Sequence, residues 1–178
     1  MERSAQRQIV ETARRGDAKA FGVLYEHYYA AMVWVAYAIV LDRDLAEDAA
    51  QQAFVKACEK LASLKRADRF GAWLTQICRN EARQLLRNRQ RSETQQARKA
   101  ACATSPVAEG PDLDMVKEAV DQLAPMYREI VILHYYNRMD YRRIAATLGV
   151  AGHTVRGRLF RARRQIERIL RKNGYPER

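Results

Sequence analysis

Apolar residues recur along most of this chain with a period near 3.6, and no stretch alternates apolar and polar in strand fashion, so the pattern predicts an all-α protein. Phe21, Leu24, Tyr25, Tyr28 and Met32 fall on one face of a helix. Ala50, Ala53, Phe54, Ala57 and Leu61 repeat that face on a second helix, whose start is marked by the acids of "DRDLAEDAAQ". Trp73, Leu74, Ile77, Cys78, Ala82 and Leu85 give the apolar side of a third. With a short leader helix at about Ser4–Arg15, these elements are expected to share one core. The periodicity stops in "RQRSETQQARKAACATSPVAEGPDL", which is polar, small and punctuated by two prolines and a glycine, the composition of a linker. It resumes at Asp114. Met115, Val116, Ala119, Val120 and Leu123 form a helix stopped near Pro125, and Tyr127, Ile130, Val131 and His134 form the next, ending around Asn137. The expected organisation is a first domain over 1–91, a flexible linker over 92–112 and a second small helical domain over 113–178.

The second domain ends in a recognisable supersecondary unit. Ile144 and Leu148 sit one turn apart, Asp140 is a good N-cap, and Gly149 stands where a left-handed residue ends a helix. Val155, Leu159, Ala162, Ile166 and Ile169 then line the inner face of a helix near twenty residues long. This is the pattern of a helix-turn-helix.

Charge changes the picture at this point. The 178-residue chain carries a formal net charge of +11, which suggests a polyanionic partner, most often nucleic acid. From Tyr141 to Leu170 the only acid is Glu167. His153, Thr154, Arg156, Arg158 and Arg161 lie near the start of the last helix, where a recognition helix reaches base edges in the major groove. Arg163, Arg164, Arg168, Arg171 and Lys172, further along, suit backbone phosphates or solvent. A second basic helix occupies the first domain, with Arg79, Asn80, Arg83, Arg87, Arg89 and Arg91 expected on its outer side, after a polar loop holding Lys65, Arg66 and Arg69. Two basic surfaces on a tether suit two separated DNA segments. Asp42, Asp44, Glu47 and Asp48 form the one acidic patch, which fits a basic protein partner or helix capping. The three cysteines, Cys58, Cys78 and Cys102, have no metal-site spacing and fit a reducing compartment. No apolar run reaches the length of a membrane span, and the N-terminus has no apolar signal core. No phosphate loop or metal-spaced His/Cys set supports an enzyme.

These pieces, in this order, resemble the bacterial RNA polymerase sigma factors of the extracytoplasmic-function (ECF) group of the sigma-70 family. "AFGVLYEHYYAAM", "DRDLAEDAAQQAFVKA" and "FGAWLTQICRNEARQLLR" resemble segments of sigma region 2. "LAPMYREIVILHYYNRMDYRRIAATLGVAGHTVRGRLFRARRQI" resembles region 4. The resemblance implies a cytoplasmic, non-enzymatic subunit without cofactor or metal that directs core RNA polymerase to promoters. It implies that Glu47, Asp48 and Gln51 meet the polymerase β′ subunit, with β as a further contact. The minus-10 element would be bound by Lys65, Arg66, Arg69 and Phe70 in the loop, where a flipped base is captured at an unstacking cost of a few kcal/mol, and by Arg79, Asn80, Arg83 and Arg87. The minus-35 element would be read by Arg156, Gly157, Phe160 and Arg161, among the recognition-helix residues. An anti-sigma factor is the implied regulator.

The chain departs from the family pattern in places. Gln52 and Gln84 stand where acids are usual, Cys58 where Trp is frequent, Ala151 where Ser usually caps the recognition helix, and Arg142 and Arg143 where acids are usual. Gly157 lies inside the recognition helix at a cost of roughly 1 kcal/mol against Ala. Two other readings remain open on the sequence: a stand-alone DNA-binding regulator without polymerase, and a sigma mimic that sequesters a sigma antagonist.

Overall fold

The computed structural model describes residues 3–97 and 111–174, all helix and turn, with side chains described over 4–92 and 115–174. Its helices are α1 (Arg3–Arg14), α2 (Ala18–Val40), α3 (Arg43–Lys60), α4 (Phe70–Ala97), α5 (Pro111–Asp121), α6 (Pro125–Val131), α7 (Tyr141–Leu148) and α8 (Gly152–Lys172). Two short 3-10 turns, Leu61–Ser63 and Ala67–Arg69, join α3 to α4, and a π-helical turn, Ile132–Tyr136, continues α6. α4 runs to Ala97, into the segment read above as linker, because Arg, Gln and Glu propagate a helix even without an apolar stripe. Residues 98–110, Cys102 among them, lie outside the described residues.

Three helix starts follow one rule. Asp17, Asp42 and Asp140 are extended at the N-caps of α2, α3 and α7, and each carboxylate accepts from the N–H three residues on: Ala20 at 3.0 Å, Leu45 at 3.0 Å and Arg143 at 2.7 Å. A carboxylate there satisfies an orphan donor and meets the positive end of the helix dipole.

α2, α3 and α4 pack around Leu24, Met32, Val35, Phe54, Phe70, Leu74 and Cys78, and α1 adds Val10. Alanines at positions 46, 49, 50, 53 and 57 of α3 are buried and let its backbone lie close to α2 and α4. Gly71 opens α4 against the ring of Tyr28; a Cβ there would come within 2.9 Å of it. In the second unit Val120, Leu123, Ile130, Leu133, Met139, Ile144, Leu148, Val155, Leu159 and Ala162 fill the space between α5 and α8. Gly149, at φ 68°, ends α7 and turns the chain into α8.

The two units share one continuous core. Thr75 of α4, fully buried, donates its hydroxyl to the Thr147 carbonyl of α7 at 2.7 Å. Ala72 lies against Gly149, where a Cβ would approach its methyl to 2.9 Å. Trp34 of α2 meets Tyr136 with ring centroids 5.5 Å apart. Arg128 is buried, and its guanidinium donates to the carbonyls of Val120, Asp121, Leu123 and, across the interface, Ala38 at 2.7 Å. Those acceptors stand near the C-terminal ends of α5 and α2, where carbonyls lack helical partners and a cation is favoured.

Candidate nucleic-acid interface

α8 is amphipathic in the strict sense: Val155, Leu159 and Ala162 are buried, and the opposite face is cationic. His153, Arg156, Phe160 and Arg161 are exposed, and Thr154, Gly157 and Arg158 are partly so. Phe160 is 60% exposed with no core contact, and the Arg164 guanidinium sits 5.9 Å from its ring. Gly157 has no other part of the protein within 4 Å of where a Cβ would stand, so internal packing does not demand a glycine there. Ala151, the N-cap of α8, has an extended backbone and no side-chain hydrogen bond, leaving the first amides of the helix open at its N-terminus. Such amides, on a face without acids, favour anions. Arg163, further along, donates to the Tyr135 hydroxyl at 2.8 Å and is thereby held in place.

The first unit presents its own basic surface. Lys65, Arg66 and Arg69 are exposed on the turns before α4, and Arg66 pairs with Asp68 at 2.8 Å. Asn80, Arg83 and Arg87 are exposed along α4; Asn80 accepts from Gln76 at 3.2 Å, and Arg87 donates to Gln84 at 2.6 Å. Three residues stand elsewhere than the sequence suggested: Phe70, Arg79 and Arg89. Phe70 is fully buried, its ring centroid 5.5 Å from that of Tyr28 and 6.0 Å from that of Trp73, because it begins α4 facing the core. In this conformation it supports the loop from beneath and offers DNA no surface. Arg79 is not an outer residue either: its guanidinium makes a two-point bond to the Glu129 carboxylate, at 3.0 and 2.6 Å, and its side chain is 19% exposed against 6% for Glu129.

The acidic patch divides by role. Asp42 caps α3 and also receives Arg89, so both are taken up within the fold, and Arg89 turns inward rather than out. The Leu45 N–H, together with the Arg89 guanidinium, holds the Asp42 carboxyl below its ordinary range. Glu47 pairs with Arg43 at 3.0 Å on the surface. Asp48, Gln51, Gln52, Val55 and Glu59 then form one exposed stripe of α3. Val55, 60% exposed in the middle of that polar stripe, was missed by the periodicity argument; an apolar residue out of phase with the buried face was its signal. Among the described residues no group of His, Cys, Asp and Glu is placed to hold a metal ion, and no helix is long and apolar enough to cross a membrane.

Comparison with known proteins gives these surfaces a common context. The Sigma-70 region 2 model matches residues 24–92, and the Sigma-70, region 4 model matches residues 113–166. The chain is 32% identical over 168 residues to a probable RNA polymerase sigma factor, RfaY, of Xanthomonas campestris pv. campestris; the match covers 89% of this chain and 42% of that protein. The RNA polymerase sigma-H factor of Pseudomonas aeruginosa is 29% identical, with 92% of each chain covered. The ECF RNA polymerase sigma-E factor of Escherichia coli is 28% identical, covering 89% of this chain and 91% of its own. Among solved structures, CnrH in complex with the cytosolic domain of CnrY superposes with a TM-score of 0.65 at 27% identity, covering 96% of this chain and 99% of that one. The sigma factor RpoE, in complex with the anti-sigma factor NepR from Bartonella quintana, does so at 0.59 and 29%, covering 86% and 98%. With region 2 in α2–α4 and region 4 in α5–α8, the chain belongs to the sigma-70 family of RNA polymerase sigma factors, in its extracytoplasmic-function group.

Proposed function

We propose that this chain is a cytoplasmic, non-enzymatic subunit that binds core RNA polymerase and directs transcription initiation to promoters with defined minus-10 and minus-35 elements. The domains proposed for the two elements are 1–91 and 113–178, joined by 92–112. One observation carries the reading: an acid-poor, Arg-rich recognition helix and a separate basic helix occur in one chain with an exposed Asp48–Gln51–Val55 stripe that suits protein rather than DNA. In this reading Arg156 and Arg161 donate to base edges of the minus-35 element and Phe160 makes apolar contact there. His153, Thr154 and Arg158 support the docking, and Gly157 allows close approach. Lys65, Arg66, Arg69, Asn80, Arg83 and Arg87 hold the minus-10 strand, and Arg79 joins them when freed from Glu129. Glu47, Asp48 and Gln51 meet the β′ subunit, with the α5–α8 unit toward β. The complex of the Bartonella relative with NepR supports an anti-sigma factor as regulator here also.

The test is co-elution of the purified chain with bacterial core polymerase, wild type against Asp48→Arg. Asp48 is exposed, so the substitution spares the fold. Stable binding by the wild type, lost in the variant, is the expected result. Failure of the wild type to bind, with salt-sensitive DNA binding kept, would replace this reading with that of a stand-alone regulator.

A further inference from the structure

Tyr135 and Arg163 meet on the flank of the recognition helix. They come from different elements, Tyr135 from the π-helical turn Ile132–Tyr136 and Arg163 from α8. The Arg163 Nε–H donates to the Tyr135 hydroxyl at 2.8 Å, and the guanidinium carbon lies 5.7 Å from the centre of the same ring. Both side chains are exposed. Holding a long surface side chain in one geometry costs entropy, and here no acid offsets that cost. Glu167, the acid nearest in sequence, pairs with Arg171 at 2.7 Å. Among the described residues no carboxylate pairs with Arg163. A neutral phenol orders it and leaves its charge uncompensated.

The turn that carries Tyr135 is itself fixed. His134 Nδ1 lies 2.9 Å from the Met139 carbonyl oxygen, and the His134 ring stands 4.8 Å from that of Tyr135 and 5.3 Å from that of Tyr141. Phase and distance then place the pair on the DNA side. Arg163 follows Arg156 by seven residues, so the two share a face to within about 20° and stand roughly 10.5 Å apart along the axis. In helical phase Arg163 falls between Arg156 and the buried Leu159. The major groove is ~12 Å wide. A helix whose first turns read bases at Arg156 brings Arg163 to the wall of that groove, where phosphates run. The Arg163 Nε is engaged by tyrosine, and both terminal nitrogens remain as donors. The Tyr135 oxygen accepts from Nε, and its own proton remains free to donate.

We propose that Tyr135 and Arg163 form one phosphate-binding site, in which the terminal nitrogens of Arg163 and the hydroxyl of Tyr135 donate to the same backbone phosphate of a duplex held against α8. This inference rests on the reading of α8 as the recognition helix in the proposed function. A phosphate ligand means that the site contributes affinity and register, not base choice. Because Tyr135 orders the guanidinium beforehand, less side-chain entropy is lost when the duplex docks.

The full chain is titrated by anisotropy with a labelled mixed-sequence duplex of about 30 base pairs at several salt concentrations, since a phosphate contact needs no particular sequence. Helical content is checked by circular dichroism. Tyr135→Phe removes only the hydroxyl, and Arg163→Lys keeps the charge but loses the fork that engages Tyr135. Each is expected to weaken binding about 3- to 5-fold, the size of one net hydrogen bond, with the salt slope unchanged. The double variant loses no more than about 5-fold, not the roughly 9- to 25-fold product of independent contacts. Arg163→Ala lowers the salt slope by about 0.9, one phosphate fewer. Tyr135→Phe binding like wild type, losses that multiply, a slope unmoved by Arg163→Ala, or a wild type that does not bind the duplex would each overturn the site. Core polymerase binding is scored on the same samples. Coupled losses in a chain that never binds polymerase keep the site and refute the sigma reading; polymerase binding with uncoupled losses does the reverse.

Discussion

Replacing Ala151 by Ser supplies a missing cap. At φ −74° and ψ 149°, Ala151 already has the extended backbone of an N-cap, close to the −73° and 165° of Asp140, which caps α7 through the Arg143 N–H at 2.7 Å. Its own side chain contributes nothing, and the Thr154 N–H makes only the short i−3 bond to the Ala151 carbonyl, at 3.0 Å. A serine Oγ at an exposed site in this geometry accepts from the Thr154 or His153 amide without steric conflict. Capping contributes ~1 kcal/mol as a central value, and sharing the Thr154 amide brings the gain to roughly 0.5–1 kcal/mol. At about 2–4 °C per kcal/mol for a chain of this size, Tm rises by roughly 1–4 °C. Thermal unfolding of the full chain, followed by circular dichroism, reads this directly, with Asp140→Ala as the mirror: removal of a working cap lowers stability by about 1 kcal/mol. A Tm unchanged or lowered by Ala151→Ser, alongside a clear loss in Asp140→Ala, would refute the argument that α8 begins uncapped.

Other outcomes follow from the same geometry. Gly157→Ala meets no atom and stabilises the helix by about 0.5–1 kcal/mol, while weakening binding to promoter duplex; equal duplex affinity would remove close approach as the reason for the glycine. Burial pushes the Cys78 thiol up to about 12, so at pH 8 it resists thiol reagents in the folded protein while exposed Cys58 reacts, as mass spectrometry after brief alkylation will show. The Asp42 carboxyl is depressed in the folded state, so its contribution to stability is present at neutral pH and lost on acidification below the ordinary carboxylate range. Asp42→Asn is expected to be less stable at pH 7 and to lose less of its stability between pH 7 and acid, read by denaturant unfolding at several pH values. Duplex affinity is expected to fall steeply with salt, the slope of log K against log salt measuring the phosphates neutralised.

Much of the fold was legible because it is written in local periodicity. The faces of α2, α3 and α8 read from Leu24, Phe54 and Leu159 turn to the core, apart from Tyr25 of α2, which is exposed, and Gly149 and Asp140 mark the ends of α7. Local pattern fails where long-range contact decides. Nothing near Arg128 in sequence shows that its guanidinium is buried on four carbonyls, one of them ninety residues away. The Arg79–Glu129 bond spans fifty residues between two units that the charge pattern treats as independent, and both look like ordinary surface residues on their own helices. Phe70 was placed at the DNA-facing loop by the family resemblance alone, whereas its ring is the largest fully buried side chain. α4 runs on past its apolar stripe to Ala97 because such a stripe is needed for packing, not for helix formation. The exposed face of α8 was readable because exposure follows directly from helical phase.

The central claim is tested most directly by transcription from a random template library with core polymerase, with and without this chain. The account predicts that the chain binds the polymerase and that initiating templates become enriched in two elements, near positions −35 and −10. Enrichment at the upstream element should be lost in Arg156→Ala with Arg161→Ala. Start sites no different from those of core polymerase alone, from a chain that folds, would contradict it.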